Sequence, residues 1–286
     1  MERSNHEART GTAGRGAQVT SIAALPRAPL LRALTALALG GWGLLAHAAD
    51  TNVPDPPATF LSVGPAVQVV PEYPGAKDSR TFLLPDIEGQ YHNWLYISAT
   101  DLLGVYAYNH GGDKLGAALM YDFTEREEKD SPKFAQLGGV PTTLRLKLFA
   151  EKRLAMFSIG GTVATDVGGH NLGTVAQAHV ALLLPLTAHG FMSIGPGVTW
   201  SDEHYMRAFY GVSAQQSVIS GLPQFDATSG ISDMYLEAVA GYDISSRWSV
   251  TVDAIAARLH GDAADSPFTQ TRSQVSVLAS ITYKIK

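Results

Sequence analysis

From about residue 61 to the C-terminus this chain alternates apolar and mixed positions with period two, in pieces of six to about a dozen residues. A strand points successive side chains to opposite faces, so such a segment presents one apolar and one polar wall. In 142–150, Leu144, Leu146 and Leu148 oppose Thr143, Arg145, Lys147 and Phe149. In 234–243, Met234, Leu236, Ala238, Ala240 and Tyr242 oppose Tyr235, Glu237, Val239 and Asp243. The pattern returns in 114–122, 174–183, 248–256 and 275–285.

Alternation alone suits a soluble sandwich as well as a membrane barrel, and the connections separate them. Twelve strands are predicted: 61–70, 82–91, 94–99, 102–109, 115–123, 140–150, 153–162, 173–184, 190–201, 231–243, 247–259 and 272–285. Even-numbered connections are short, at His92-Asn93, Gly111-Gly112-Asp113, Glu151-Lys152, 185–189 and Ser245-Ser246. Odd-numbered ones are mostly long, at 71–81, 124–139, 163–172, 202–230 and 260–271; only the third breaks the rule. Short periplasmic turns alternating with long external loops are the build of bacterial outer-membrane barrels. The expected fold is therefore all-β: a transmembrane antiparallel up-and-down β-barrel of ten to twelve strands. Trp94, Tyr96, Trp200, Tyr242, Trp248 and Tyr283 fall near strand ends, where aromatic girdles sit.

The first residues read as an export signal. Arg3, Arg9, Arg15, Arg27 and Arg32 precede the uncharged stretch 33–45, which ends at Ala46-His47-Ala48, a small-x-small cleavage pattern. The expected organisation is a cleaved signal peptide at 1–48, a proline-bearing periplasmic tether at 49–60 and a barrel at 61–286. Loss of those five arginines with Glu2 and Glu7, from 21 basic and 26 acidic residues, leaves a mature net charge of −8. That argues against nucleic acid as a partner and leaves outer-membrane lipid and lipopolysaccharide as the surroundings. There is no cysteine, so no disulfide holds this exported chain together. The longest uncharged run, 167–201, has four glycines and a proline before position 191, which a membrane helix tolerates badly.

No residue pattern demands catalysis, a cofactor or a metal. His179 is mid-strand on the polar face, with Ser193 or Ser249 as conceivable nucleophiles, yet no acid or amide is spaced to orient its imidazole. Asp202-Glu203-His204 would diverge on a strand and converge only in a loop. Glu125-Arg126-Glu127-Glu128-Lys129-Asp130 reads as a solvated loop tip, or as a bridge through divalent cations to lipopolysaccharide phosphates. Gly168-Gly169-His170-Asn171-Leu172-Gly173 is a flexible loop and no phosphate cradle, because no helix pattern follows it. Arg145, Lys147, His179, Glu237, Asp253 and Lys284 lie on the polar faces, so they line the lumen, either around water or paired across a plugged interior.

Several motifs resemble the MipA/OmpV family, the MltA-interacting proteins of the outer membrane. They are Pro71-Glu72-Tyr73-Pro74-Gly75-Ala76-Lys77-Asp78 with Leu84-Pro85-Asp86-Ile87, then Gly195-Pro196-Gly197-Val198-Thr199-Trp200-Ser201-Asp202 leading into 205–212. Ser220-Gly221-Leu222-Pro223-Gln224-Phe225-Asp226-Ala227 and Gly261-Asp262-Ala263-Ala264-Asp265-Ser266-Pro267 follow in the same order. The chain departs from outer-membrane habit by ending Tyr283-Lys284-Ile285-Lys286, without a terminal aromatic residue. The resemblance implies a non-enzymatic barrel that, in some members, contacts a lytic transglycosylase and a bifunctional penicillin-binding protein as a scaffold for murein synthesis. Other members are discussed as channels, and a small diffusion channel is the alternative expectation. The topology carries a direct test: protease added to whole cells should cut within 124–139 or 202–230 before any even-numbered turn, and preferential nicking near Ser245-Ser246 would invert the assignment.

Overall fold

A computed structural model describes residues 57–130, 134 and 137–285. The expected signal peptide, positions 49–56 of the expected tether, and Lys286 lie outside the described residues.

Twelve antiparallel strands close into one barrel. They are β1 (Phe60–Pro71), β2 (Ser79–Tyr91), β3 (Leu95–Ile97), β4 (Asp101–His110), β5 (Asp113–Asp122), β6 (Thr143–Leu154), β7 (Phe157–Asp166), β8 (Thr174–Thr187), β9 (Gly190–Ser201), β10 (Gly230–Asp243), β11 (Trp248–Leu259) and β12 (Ser273–Lys284). Each pairs with its sequence neighbours, and β1 pairs with β12, Val63 opposite Tyr283 and Val69 opposite Val277, so no edge is left open. The expected fold and strand number are those observed.

The register sends the apolar faces outward. Leu83 is 77% exposed, Leu148 57%, Val275 58% and Leu146 45%. A soluble protein rarely leaves so continuous an apolar surface uncovered; here it forms the belt that meets lipid. Among the described residues no helix is long and apolar enough to cross a membrane, and the strands do the crossing. Trp94, Trp200, Tyr242 and Trp248 are exposed toward the ends of the belt. Tyr96 differs from the girdle expectation: it lies opposite Gln90 and Gly104 on the inner wall and stacks on Tyr106 at 4.5 Å.

Inside, rings sit directly across from glycines. Tyr96 faces Gly104, Phe149 faces Gly116, His179 faces Gly160 and Tyr235 faces Gly197. A Cβ on Gly104 would come within 2.2 Å of the Tyr96 ring, and one on Gly197 within 2.1 Å of that of Tyr235. Glycine is needed at these positions so that a large ring can lie against the wall of a narrow barrel.

The sixth connection differs from expectation. Glu151 and Lys152 belong to β6, and the turn is Ala155-Met156, with Ala155 at φ 54°. The reason is pairing at the rim: Lys152 Nζ reaches Asp113 Oδ2 at 2.5 Å and the Arg153 amide donates to Asp113 Oδ1 at 2.9 Å, which holds β6 against β5 for one further turn of the pleat. Residues 57–59, assigned to the tether, are fastened to the β2–β3 turn: Asn93 N donates to the Ala58 carbonyl and Gln90 Nε2 to that of Pro57.

An arginine on the lipid face should destabilise such a wall by roughly 2–4 kcal/mol near the midplane. Leu146→Arg is expected to lower the unfolding free energy from urea titration in lipid vesicles by that amount, and with it the midpoint, while Thr162→Ser, on the inner wall, leaves both unchanged. Equal midpoints would show that this face does not meet hydrocarbon.

Candidate functional site

The long connections do not splay. They carry α1 (Glu203–Tyr210), α2 (Ala214–Ser220), α3 (Gly261–Asp265) and a 3-10 turn at Glu128–Asp130, and together they pack into a cap over the outer mouth. Period-two reasoning finds strands and leaves these helices as loops, although their caps are legible. Asp202 accepts from Tyr205 N at 3.0 Å, and Ser213 and Gln216 form a capping box. The α1 stripe Met206, Phe209, Tyr210 is buried with Val140, Leu172, Ala227, Leu259 and Ala263. A second apolar cluster joins Tyr73, Ala76, Phe134, Leu137, Val212 and Phe268. Residues from five connections thus share one core.

Arg126 is driven through that core. Its guanidinium lies 5.1 Å from the Phe134 ring and 4.6 Å from that of Phe268, and Nη1 donates to the Phe209 carbonyl at 3.1 Å. A desolvated cation between aromatic faces is held by their quadrupoles. Burial pushes the Arg126 guanidinium down to about 10, against the opposing pull of Tyr73 and Asp130. Burial also pushes the Tyr73 hydroxyl up to about 12 and the Tyr210 hydroxyl well above its ordinary value. At neutral pH the arginine stays charged and both phenols neutral, so these contacts hold across the physiological range.

The acidic run is not a free tip. Arg80 of β2 reaches Glu125 Oε1 at 2.5 Å and Asp130 Oδ2 at 3.2 Å, and within the run only Glu128 and Lys129 stay exposed. The glycine loop is not free either. Arg145, 1% exposed, donates from Nε to Asp122 Oδ2 at 2.6 Å, from Nη1 to the Gly173 carbonyl at 2.8 Å and from Nη2 to the Leu172 carbonyl at 3.2 Å. Its guanidinium also sits 5.6 Å from the Tyr205 ring. Asp202 completes the anchorage, accepting from Thr174 N at 2.8 Å as well as from its own helix. Glu203 pairs with Arg207 and His204 contacts Asn171, so the Asp202-Glu203-His204 triplet diverges.

Under the cap lies a cavity of 630 Å3. Arg145, Lys147, His179 and Glu237 line it, together with Arg80, Asp122, Tyr205 and Tyr235, which the sequence reading passed over. Lys147 pairs with Asp101, whose Oδ2 also accepts from Tyr96 Oη at 2.9 Å. Without Lys147, the buried Asp101 carboxylate would keep the tyrosine alone. His179 Nε2 is 3.9 Å from Glu151 Oε2 and makes no hydrogen bond to a serine among the described residues. Asp253 projects inward from β11 opposite Val239, and Lys284 lies at the far end of β12 opposite Ser62. Asp122 follows the same inward parity as the expected lining residues, so the strand pattern contained its signal; Asp101 shares parity with the outward Leu103 and Val105 and turns inward only through a bulge between 101 and 103. Arg126 was hidden inside a run of acids.

Residues 63–285 match the family described as MltA-interacting protein MipA. The MltA-interacting protein of Escherichia coli (strain K12) is 28% identical over 231 residues, covering 78% of this chain and 90% of its own length. That of Shigella flexneri gives the same figures. Among solved structures, the CymD monoaromatic hydrocarbon channel aligns with 79% of this chain and 88% of its own at 9% identity and a TM-score of 0.38. OmpT of Vibrio cholerae aligns with 82% of this chain and 100% of its own at 7% identity and a TM-score of 0.32. With the family match running over almost the whole sheet, from the first inward turns of β1 to the end of β12, this chain belongs to the MipA family and is a twelve-stranded barrel of the outer membrane.

Proposed function

We propose that this barrel is a non-enzymatic scaffold for murein synthesis and turnover, with its working surface at the periplasmic end. The observation that carries the reading is the packed cap at the outer mouth. Two apolar clusters and the Arg126 sandwich bind five connections into one cap, and opening it would expose that core to water. A barrel capped this way is better suited to holding a partner than to passing solutes. The periplasmic end offers short turns and the N-terminal segment, where the barrel is within reach of soluble envelope enzymes. The E. coli relative is named for interaction with MltA; a lytic transglycosylase is the partner that name suggests for this chain, with a penicillin-binding protein as the further partner of a scaffold. Lipopolysaccharide would surround the acidic cap.

A small diffusion channel is the second reading, favoured by the polar cavity inside the wall. Conductance separates the two. The refolded protein should be silent in a planar bilayer, and Arg126→Ala, which removes the cation between two rings, should give stepwise openings; regular steps from the unaltered protein would establish the channel instead. For the scaffold itself, deleting 51–57 should weaken co-purification with a transglycosylase while the barrel remains intact by its heat-shifted gel migration. Association unchanged after that deletion and after replacement of the 109–114 and 185–190 turns would leave the scaffold without a periplasmic contact surface.

A further inference from the structure

The ring of strands is closed, yet one of its links is short. β3 has three residues, which pair with Gly89, Gln90 and Tyr91 at the inner end of β2. Only Leu95 and Tyr96 of them pair onward, with Val105 and Gly104 of β4. The chain then turns back at 98–100, where Ser98 N donates to the Asp101 carbonyl at 2.8 Å and Asp101 N to Ser98 Oγ at 2.9 Å. β2 continues outward over 79–88, roughly 30 Å of strand at about 3.3 Å per residue, paired with β1 on one side. On its other side no strand lies against that length among the described residues. The outer half of the wall therefore has a gap, framed by 79–88, by the 98–100 turn and by the outer end of β5. Arg80, through its ion pairs with Glu125 and Asp130, bridges the gap at the top.

Along the gap β2 is apolar on both faces. Leu83 points out and is 77% exposed, while Phe82 and Leu84 share the inward parity of Arg80. A continuous apolar run of this kind marks a strand with apolar surroundings on both sides. Pro85, within the same length, has no N–H to offer an added strand, a device that guards sheet edges against further pairing. The cavity beneath the cap reaches the gap. Met120 lines it from the inner face of β5, opposite Arg145, and so does Tyr121, which follows the outward parity of Leu115 and Leu119. Thr100 at the tip of the turn and the exposed Phe123 line it as well. A cavity that touches both parities at the end of one strand, and the hairpin tip beside it, continues through the wall. Backbone groups left unpaired at membrane depth are tolerated where they border such a cavity.

We infer that this gap is a lateral window, through which the hydrocarbon chain of an outer-leaflet lipid enters the cavity and lies against Phe82 and Met120. The window opens in the belt that already meets lipid, with Leu83, Leu102, Leu103 and Phe123 exposed around it, so lipid is the molecule in continuous contact with it. The inference holds for a scaffold and for a channel alike. The chain has no cysteine, so one introduced cysteine carries one label. Bimane at Leu84→Cys, in the full protein refolded into dioleoylphosphatidylcholine vesicles, should be quenched when the vesicles include a phosphatidylcholine with a nitroxide on its acyl chain. The loss should approach that of a label at Leu146→Cys on the lipid face, whereas a label at Thr162→Cys, on the inner wall of β7, should keep its fluorescence. If Leu84→Cys fails to give a heat-shifted barrel, Phe82→Cys serves in its place. Quenching of the β2 label by aqueous iodide alone would show water behind a wall closed to lipid, as would equal shielding of the β2 and Thr162 labels. Disulfide-linked dimers of an unlabelled Leu83→Cys protein would assign the edge to a second copy of the chain. Any of these results overturns the inference.

Discussion

In hydrocarbon a backbone N–H or C=O has no water to turn to, so a sheet that enters a bilayer must have no edge. The pairing of β1 with β12 meets that requirement, and the rest of the molecule depends on it. Without it, the outer residues of β1 and β12 would present unpaired ladders to lipid at a cost of several kcal/mol for each group. With it, every apolar outward side chain becomes an asset, because lipid asks only that the face be uncharged. The absence of cysteine follows the same logic: a closed ladder already fixes the two ends of the sheet against each other.

Closure creates an interior that twelve strands make too wide for side chains to fill simply and too narrow for a large pore. The chain answers at three levels. In the lower lumen, Tyr96, Tyr106 and Phe149 form a cluster with centroids 4.5–6.0 Å apart, made possible by glycines across the ladder. Midway, Lys147 of β6 reaches across β5 to Asp101 of β4 on the inner wall. At the outer end, the connections supply a miniature soluble core of their own, with helix caps, buried aromatics and a cation between rings.

What the sequence made legible was whatever the pleat dictates. Strand existence, face and order follow from a period of two, and the inward parity that marked Arg145 and Glu237 marks Asp122 equally, whereas Asp101 reaches the inner wall only through a bulge that interrupts the alternation of β4. Tyr96 was misread because proximity to a strand end was given more weight than its face. The sixth turn was misread because the Glu151-Lys152 pair has turn-like polarity, whereas its charges serve to hold β6 on Asp113. The cap was out of reach for a different reason. Its contacts join residues as far apart as Tyr73 and Phe268, and no local periodicity encodes which loop meets which.

Arg145 shows how the same inward parity can yield opposite functions. By pattern it is a lumen charge, and lumen charges ordinarily set the selectivity of a pore. Its surroundings give it a carboxylate, two carbonyls and a tyrosine face. A guanidinium removed from water needs that many partners, since a single missing one would leave buried charge uncompensated. Those partners come from β5, from the β7–β8 connection and from α1, so satisfying the arginine fixes three elements of the outer end at once. The side chain that would have tuned an open passage is the one that fastens its roof. The cavity is therefore the space left beneath a roof held by Arg145.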